Sequence, residues 1–400
     1  MVYASATGER DASSTTWRSY FDVTAGDLCT SRWVVRKLRS GADLRKDSSP
    51  SVQLSIQRTI QGVCLKFFSG KFRGSRYFEV LSTTIMTPTI LIAGATGNTG
   101  RSVVETLSRF LGNSDVSPDT RILALTRSID SSAAQHLASL PSVTVIEKNW
   151  VDINASWLRE QNVIKAFIAS HNGPSQFAEE STFHQAALMA GVQYVVRIST
   201  TAANVRPDFE AYYPRTHWAI ETMLSSPEFR ELKWTSLQPN IFFAAHLYSA
   251  VEFVKEYRQT KKQGILKLIA DKDAPVGAID PDDIGTFAAH LLWKQDPSRH
   301  NGAKYVLNGP TDVTGREIVQ WVEEAIGEPV DNVEYRDVSL VDAMVLATKE
   351  SKNVISSIKA APVTLWEGKC PASTTSKKVI EIAAPNRSVI DAWKAFLSAN

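Results

Sequence analysis

From residue 86 onward, short apolar segments alternate with helical segments, and this limits the fold more than any other feature of the chain. The apolar segments are continuous, as is typical of strands that are covered on both faces. Repeated alternation predicts right-handed crossovers and an α/β fold with a Rossmann-type, doubly wound parallel sheet. The predicted strands cover 89–94, 121–126, 143–148, 166–170, 194–199 and 234–239. The predicted helices between them cover 101–111, 131–140, 175–191 and 215–226.

The organisation predicted from these patterns has three parts. Residues 86–240 form the NAD(P)-binding Rossmann domain. Residues 241–400 form a smaller, mainly substrate-binding α+β portion, and a late strand near 304–309 is expected to rejoin the sheet. Helices are predicted there near 241–260, 282–294, 314–326 and 338–348.

Residues 1–85 differ in composition from the rest of the chain. They hold 13 Lys/Arg against 7 Asp/Glu, and 21 of the 85 are Ser or Thr. No sustained hydrophobic period is present, which predicts a poorly ordered N-terminal extension. A mitochondrial leader is the alternative, but early acids such as Glu9 and Asp11 disfavour it.

The overall charge and the cysteine content indicate which kinds of binding partner the chain is expected to have. The net charge of +2 favours neither a nucleic-acid nor a membrane partner. Three scattered cysteines, Cys29, Cys64 and Cys370, indicate neither a disulfide framework nor a zinc site. A cytoplasmic protein that acts on a small molecule is therefore expected, with a protein partner as well if the chain is regulatory.

A glycine-rich loop follows the first predicted strand and opens the first predicted helix. One glycine permits a tight turn, another lets the backbone approach a pyrophosphate, and the last lets helix and strand pack closely. The N-terminus of the helix then directs N–H groups at the phosphates. The cofactor contacts predicted here are Gly94, Thr96, Gly97, Asn98, Thr99, Gly100 and Arg101.

The end of the second strand selects between the two nicotinamide cofactors. An acid there would bind a free ribose 2′-OH, whereas this chain has Thr126, Arg127 and Ser128. Arg127 and Ser128 are expected to bind a 2′-phosphate, which favours NADP(H). The alternative for Arg127 is a solvated surface residue.

The chain resembles the NmrA-like proteins, atypical members of the short-chain dehydrogenase/reductase superfamily. The resemblance runs from about Met86 to the C-terminus. It rests on GATGNTGRSV, VVRIST, RTHWAIE, SLQPNIFF, DDIGTFAAHLL and YVLNGPTDVTGREIVQWVEEAIG in this order. It implies a Rossmann domain, a smaller C-terminal domain and a site between them. Members of the family include quinone or enone reductases, fungal pathway oxidoreductases and regulators that bind the dinucleotide without known turnover.

The superfamily's catalytic Tyr-x-x-x-Lys pair is altered in this chain. Tyr213 is followed four residues later by His217, while Ser199 and Thr200 stand at the end of the fifth strand. Tyr213 and His217 are the catalytic candidates, with His217 expected to bind the ribose or donate a proton. Tyr212 is the alternative tyrosine, and the alternative for His217 is an ion pair on the helix face.

Glu221 stands one helical turn after His217 and is expected to raise its proton affinity by pairing. His-x-x-x-Glu offers only two metal ligands, so no metal site is predicted. Asp282 and Asp283 are interpreted as a helix N-cap.

Three more loops lie at the carboxyl ends of strands, where the cofactor is expected. Phe242 and Phe243 either form the wall of an aromatic substrate pocket or pack in the core. The remaining predicted cofactor contacts are Ser170, His171, Ser199, His217, Pro239 and Asn240.

Two functions are consistent with these features. The first is an NADPH-dependent oxidoreductase that reduces a quinone, enone or imine, in a fungal secondary-metabolism pathway. The second is a redox-sensing transcriptional regulator that binds NADP(H) without turnover. The altered Tyr/Lys pair favours the regulator, and the aromatic residues after Pro239 favour the enzyme.

Overall fold

The computed structural model describes residues 87–112 and 120–398 with their side chains, and the chain divides into two compact units between Met86 and Thr87. In the first unit only the backbone of short strands is described. These strands form two antiparallel sheets, Ala6–Glu9 with Arg18–Phe21 and Trp33–Val34, and Thr59–Ile60 with Val63–Phe72 and Ser75–Thr84. The rest of the predicted extension, with Cys29, lies outside the described residues, so its poor order stays a prediction.

The second unit is built on a seven-stranded parallel sheet, as the alternation of apolar and helical segments predicts. Its first six strands are β1 Thr89–Ala93, β2 Arg121–Thr126, β3 Val143–Glu147, β4 Val163–Ile168, β5 Tyr194–Ile198 and β6 Lys233–Pro239. The edge strand is β8, Ala303–Leu307. The spatial order is β3-β2-β1-β4-β5-β6-β8, so the strand order reverses between β1 and β4. A dinucleotide binds at such a reversal, outside the carboxyl ends of the strands.

Helices cover both faces of this sheet. The first five are α1 Asn98–Gly112, α2 Ser132–Ala138, α3 Ala155–Glu160, α4 Gln176–Ala190 and α5 Tyr212–Leu224. One face buries an apolar cluster that includes Val103, Leu107 and Phe287, and the other a cluster that includes Phe183, Val195 and Ile220. The sequence patterns predict four of these helices and miss the short α3.

The chain beyond β6 contributes to both the sheet unit and a smaller α+β region. Its first elements are α6 Phe243–Thr260, β7 Leu266–Leu268, α7 Pro281–Trp293, α8 Gly315–Ile326 and β9 Val333–Tyr335. Strands β7 and β9 pair in parallel, and α6 packs on α8 and β7. The last helices are α9 Ser339–Ala347, α10 Lys352–Ser356, α11 Val363–Trp366, α12 Lys377–Ala383 and α13 Val389–Ser398.

Helix α7 returns to the Rossmann sheet and packs against α1, which carries the glycine loop. The Ser102 hydroxyl donates to the Asp282 carbonyl at 2.8 Å. At the other end of α7, the buried Lys165 ammonium of β4 donates to the carbonyls of Leu292 and Lys294 at 2.8 and 2.6 Å. Lys165 also explains why the predicted fourth strand started late, because a lysine interrupts its apolar run.

The predicted N-cap of α7 is wrong by two residues. Asp280 is the N-cap, and its side chain accepts from the Asp282 N–H, while Pro281 takes the first helical position. Pro at this position costs no hydrogen bond, because that N–H has no intrahelical partner.

Within the described part of the chain, no helix is both long and apolar enough to span a membrane.

Candidate functional site

The loop between β1 and α1 forms a backbone cradle. Gly94 has φ +84°, and its carbonyl accepts from the Gly97 N–H at 3.0 Å. A Cβ added at Gly100 would lie 2.1 Å from the Gly94 oxygen, so a side chain there is excluded. Gly97 and Asn98 are exposed at the start of α1, Thr96 is partly buried and Thr99 is buried. The exposed backbone at this helix N-terminus is suited to binding an anionic group.

The loop after β2 presents Arg127 to solvent. No hydrogen bond or ion pair joins its guanidinium to another described residue, although the loop itself is ordered by local contacts. The Thr126 hydroxyl donates to the Ser128 carbonyl at 2.9 Å, and the Ile129 N–H donates to the Glu147 carboxylate at 3.0 Å. Arg127 is therefore available for a ligand, while Glu147, which the sequence analysis missed, brings a negative charge from the next strand.

Arg101 is less available than Arg127. Its guanidinium lies 3.8 Å from Asp282 of α7 and 3.9 Å from Glu105 of its own helix. Half of its side chain is exposed, so these pairs are weak.

The carboxyl end of β5 brings three hydroxyl groups to the same edge of the sheet. Tyr213, near the start of α5, lies beside Thr200, and burial raises the pKa of its phenol against the lowering effect of the Thr200 side chain. The buried Ser199 hydroxyl has no partner within the described part of the chain. Tyr212 differs, because its hydroxyl donates to the Asn172 carbonyl.

His217, one helical turn after Tyr213 on α5, is almost fully buried, with 1% of its surface exposed. Arg197 donates to its Nδ1 at 2.7 Å, so the ring proton is on Nε2, which donates to the Asn172 Oδ1 at 3.1 Å. Burial, followed by the charge of Arg197, lowers its pKa to about 3. His217 is therefore neutral at neutral pH and positions the loop after β4.

The predicted pairing of Glu221 with His217 is wrong. The Glu221 carboxylate instead lies 3.6 Å from Arg197 and 3.0 Å from Lys304, and accepts from Ser236 at 2.7 Å. The imidazole has a cation rather than an anion as its neighbour, so its proton affinity falls instead of rising.

Arg197 is the centre of a buried network that the sequence analysis missed. It lies within β5 and donates to Glu180 at 2.6 Å and to Ser236 at 3.0 Å. Arg197, Glu180 and Glu221 are fully buried. Although burial alone raises it, the charge of Arg197 holds the pKa of Glu180 well below its usual range. The only signal in the sequence was one arginine within the apolar YVVRIST segment.

The loop after β4 holds the predicted contacts Ser170 and His171. The Ser170 hydroxyl donates to Glu180 at 2.6 Å and so belongs to the buried network. His171 is exposed, accepts from the Gly173 N–H at 2.9 Å and pairs with Glu179 at 2.5 Å. Both side chains thus already have partners within the protein. The backbone of this loop is the part that remains available to contact a cofactor.

The end of β6 borders a small cavity of about 80 Å³. Pro239 is buried there, and the Asn240 amide donates to the carbonyls of Gly277 and Cys370 at 3.1 and 2.9 Å. Phe243 packs in an apolar cluster of the C-terminal region, and Phe242 packs against the sheet cluster. The other cavity-lining residues are Thr201, Ala202, Ala203, Gln238, Val306, Asn308, Lys369, Cys370 and Thr374.

Metal-ligating side chains do not cluster in the described part of the chain, where no group of three or more His, Cys, Asp or Glu is close enough to hold an ion. The function therefore has to be argued from the glycine cradle, the hydroxyls and the buried network.

The model of the NmrA-like family matches residues 86–360, and the chain belongs to this family. Over 241 residues it is 27% identical to (4-alkanoyl-5-oxo-2,5-dihydrofuran-3-yl)methyl phosphate reductase of Streptomyces griseus, covering 60% of this chain and 75% of that protein.

Solved structures share the fold. An NADPH-dependent quinone oxidoreductase from Escherichia coli in complex with NADPH aligns with a TM-score of 0.58 at 21% identity, over 77% of this chain and 100% of the other. NmrA, a negative transcriptional regulator, aligns with a TM-score of 0.55 at 15% identity, over 78% of this chain and 95% of the other. At such identities the likeness establishes the Rossmann-type fold.

Residues at the carboxyl edge of the sheet fit a dinucleotide. The Gly100 position has no room for a Cβ, as close helix–strand packing beside a pyrophosphate requires, and the buried Ser199 hydroxyl has no partner among the described residues. The glycine loop would hold the pyrophosphate, and the end of β5 would face the nicotinamide half. Which predicted residues contact the cofactor stays a prediction.

Proposed function

We propose that this chain is an NADPH-dependent oxidoreductase that reduces a small organic acceptor such as a quinone, enone or imine. The observation that carries the proposal is the buried Ser199 hydroxyl, which has no partner among the described residues and lies next to Thr200 and Tyr213 at the sheet edge that also bears the glycine cradle. Buried hydroxyl groups are nearly always hydrogen-bonded within a protein, so one without a partner indicates a place where a ligand binds.

The names of similar proteins support the same chemistry. A reductase of Streptomyces griseus is a relative in sequence, and an NADPH-dependent quinone oxidoreductase is a structural neighbour. The unpaired Arg127 supports NADPH over NADH. The family resemblance supports a role in fungal secondary metabolism, and the cysteine pattern supports a cytoplasmic location.

The chemistry divides between cofactor and protein. The nicotinamide, when bound, supplies a hydride. Burial raises the pKa of the Tyr213 phenol, so it is protonated at neutral pH and would give that proton to the acceptor oxygen as the hydride arrives, after which solvent returns a proton to the phenolate. Neutral His217 transfers no proton there and instead holds Asn172 in place.

A second candidate is a regulator that binds the dinucleotide without turnover. The observation that favours it is the absence of a lysine-like cation beside Tyr213, because Arg197 is neutralised by two buried carboxylates. The pKa of the phenol therefore stays raised by burial, with only the Thr200 side chain acting to lower it.

Following NADPH absorbance across a panel of quinones, enones and imines distinguishes the two. Turnover with any acceptor supports the enzyme, and Tyr213→Phe should then lower kcat by about a hundredfold or more. Tyr212→Phe is the matched control, because the Tyr212 hydroxyl is committed to the Asn172 carbonyl. Tight NADPH binding with no oxidation across the panel would instead favour the regulator.

A further inference from the structure

A small polar cavity lies at the ends of β5, β6 and β8, and the function proposed so far assigns no group to it. Thr201 lines the cavity two residues after Ser199, and Asn240 lines it directly after Pro239. The cavity therefore adjoins the part of the sheet edge that would face the nicotinamide half of the cofactor. A group held there is in position to be part of the acceptor.

Most of the polar side chains in the cavity wall are already bonded to one another. The Asn240 amide nitrogen donates to the Asn308 Oδ1 at 3.0 Å, and the Asn308 amide nitrogen donates to the Thr374 hydroxyl at 3.0 Å. The Gln238 amide nitrogen donates to the Glu221 carboxylate at 3.2 Å. These bonds fix the wall, so a ligand is selected by the donors that remain.

Two donors remain, the Thr201 hydroxyl and the Lys369 ammonium. The Thr201 hydroxyl caps no helix end and bonds to no other described residue. Lys369 pairs with Glu367 at 2.6 Å, but about half of each side chain is exposed, so this pair is weak. Burial raises the pKa of the Cys370 thiol in the same wall, and the charge of Lys369 acts to lower it, which places the ammonium near the cavity.

The balance of charge and the volume of the cavity select the chemical class of its ligand. Among the described residues that line the cavity, none is Asp or Glu, so the charge of Lys369 has no counter-charge in the wall. Glu221, behind Gln238, is already paired with Lys304 at 3.0 Å. A volume of about 80 Å³ corresponds to about three water molecules in the liquid, which is the size of a carboxylate rather than of a whole acceptor.

We infer that this cavity binds a carboxylate of the acceptor, with Lys369 as the counter-charge and the Thr201 hydroxyl as a hydrogen-bond donor. The inference rests on the proposed function and narrows its acceptor to one that carries a small anionic group beside the bond to be reduced. Lys369 is then a specificity-determining residue, because a buried anion requires a partner of opposite charge.

The test compares trans-β-acetylacrylate, an enone with a carboxylate, with its uncharged methyl ester. In Lys369→Gln, KM for the acid should rise about tenfold, because a charge-assisted contact is lost. KM for the ester should stay within about twofold, and the Kd for NADPH should not change. Lys262→Gln is the matched control, since it removes the same charge from an exposed lysine at the end of α6 that does not line the cavity.

Two further variants act on the same contact in opposite directions. Glu367→Gln removes the competing partner of Lys369 and should lower KM for the acid by about twofold. Thr201→Val keeps the shape of the side chain without its hydroxyl and should raise KM for the acid more than KM for the ester.

Two results would overturn the inference. The first is an unchanged ratio of the two KM values in Lys369→Gln, which would mean that the ammonium does not meet the carboxylate. The second is a weakened Kd for NADPH in the same variant with that ratio unchanged, which would assign the cavity to the cofactor instead.

Failure of the proposed function gives a different result. If the unmodified chain oxidises no NADPH with any acceptor, the enzyme proposal fails, and binding alone then decides the inference, as it does if other acceptors are reduced but not this pair. The probes are levulinate, the saturated counterpart of the acid, and methyl levulinate, titrated by calorimetry in the presence of NADP⁺. Levulinate should bind the unmodified chain about tenfold more tightly than it binds Lys369→Gln, with no such difference for the ester. Equal Kd values for levulinate in the two chains, or no binding to either, would refute the inference.

Discussion

The two halves of the sheet's carboxyl edge are built in different ways. On the side of β1 to β3, the glycine loop and Arg127 offer backbone groups and an unpaired side chain to solvent. On the side of β4 to β6, Arg197, Glu180 and Glu221 are fully buried, and Arg197 pairs with both carboxylates. The first side is prepared to bind a ligand, and the second fixes the positions of the loops around it.

This difference implies that mutations on the two sides have different consequences. Substitutions in the buried network should unfold the protein before they reveal a role in binding. Substitutions on the glycine-loop side should change cofactor affinity while the fold survives.

Arg197→Ala should have the largest effect on stability. The substitution removes the buried cation that pairs with the carboxylates of Glu180 and Glu221. Because two buried negative charges then lose that partner, the free energy of unfolding should fall by about 3–5 kcal/mol. Urea unfolding measures the loss. The control is Arg230→Ala, because the Arg230–Glu231 pair is exposed on both sides and should contribute less than about 1 kcal/mol. Equal losses in the two variants would show that the buried network is not a stabilising unit.

Acid should destabilise the protein through His217. Its folded-state pKa of about 3 lies below the value of about 6.5 in an unfolded chain, so the unfolded state binds the proton first as the pH falls. The contribution of His217 to the free energy of unfolding is therefore fully present above about pH 6.5. It falls as the pH drops toward 3, by about 1.4 kcal/mol per pH unit for this one proton. Urea titrations at several pH values check the slope, and His217→Gln should reduce it by the contribution of this one proton. An unchanged slope in that variant would contradict the assignment.

Gly100→Ala should reduce NADPH affinity by about a hundredfold, because the new Cβ would lie 2.1 Å from the Gly94 oxygen and must open the loop. Calorimetry with NADPH measures the change. Gly112→Ala serves as the control at the far end of the same helix, where an added Cβ meets nothing within 4 Å. Normal affinity in Gly100→Ala would place the pyrophosphate elsewhere.

Arg127→Ala should remove most of the preference for NADPH over NADH. A charge-assisted contact of this kind contributes about 1.5–3 kcal/mol, or about ten- to a hundredfold in Kd. Arg101→Ala should change the preference less, because Arg101 is already shared with Asp282 and Glu105. Equal affinities of the unmodified protein for both cofactors would refute the NADP assignment.

A chain that begins at Met86 should show the smallest effect. Residues 87–400 form one compact unit with the entire parallel sheet, so the shortened chain should fold and bind NADPH with unchanged Kd. Insoluble or cofactor-free protein would show that the preceding residues are needed for the fold.

Local sequence patterns predicted what depends on local physics. Continuous apolar segments indicated the first six strands, and the glycine spacing located the loop between β1 and α1. Both follow from the sequence because burial on two faces, and room for a backbone turn, each require particular residue types within a few positions. The late strand at Ala303–Leu307 was anticipated for the same reason.

Long-range pairing was decided only by the tertiary structure. Glu221 is one helical turn from His217 along the chain, yet its carboxylate bonds to Ser236 and pairs with Lys304, which lies 83 residues away on β8. Arg197 takes the place beside His217 that Glu221 was expected to take. A charge is buried only where partners from several elements converge, and no local pattern records that convergence. The chain's own sequence therefore determined the cradle, while the packing of β5, α4 and α5 decided which side chains stand free to act.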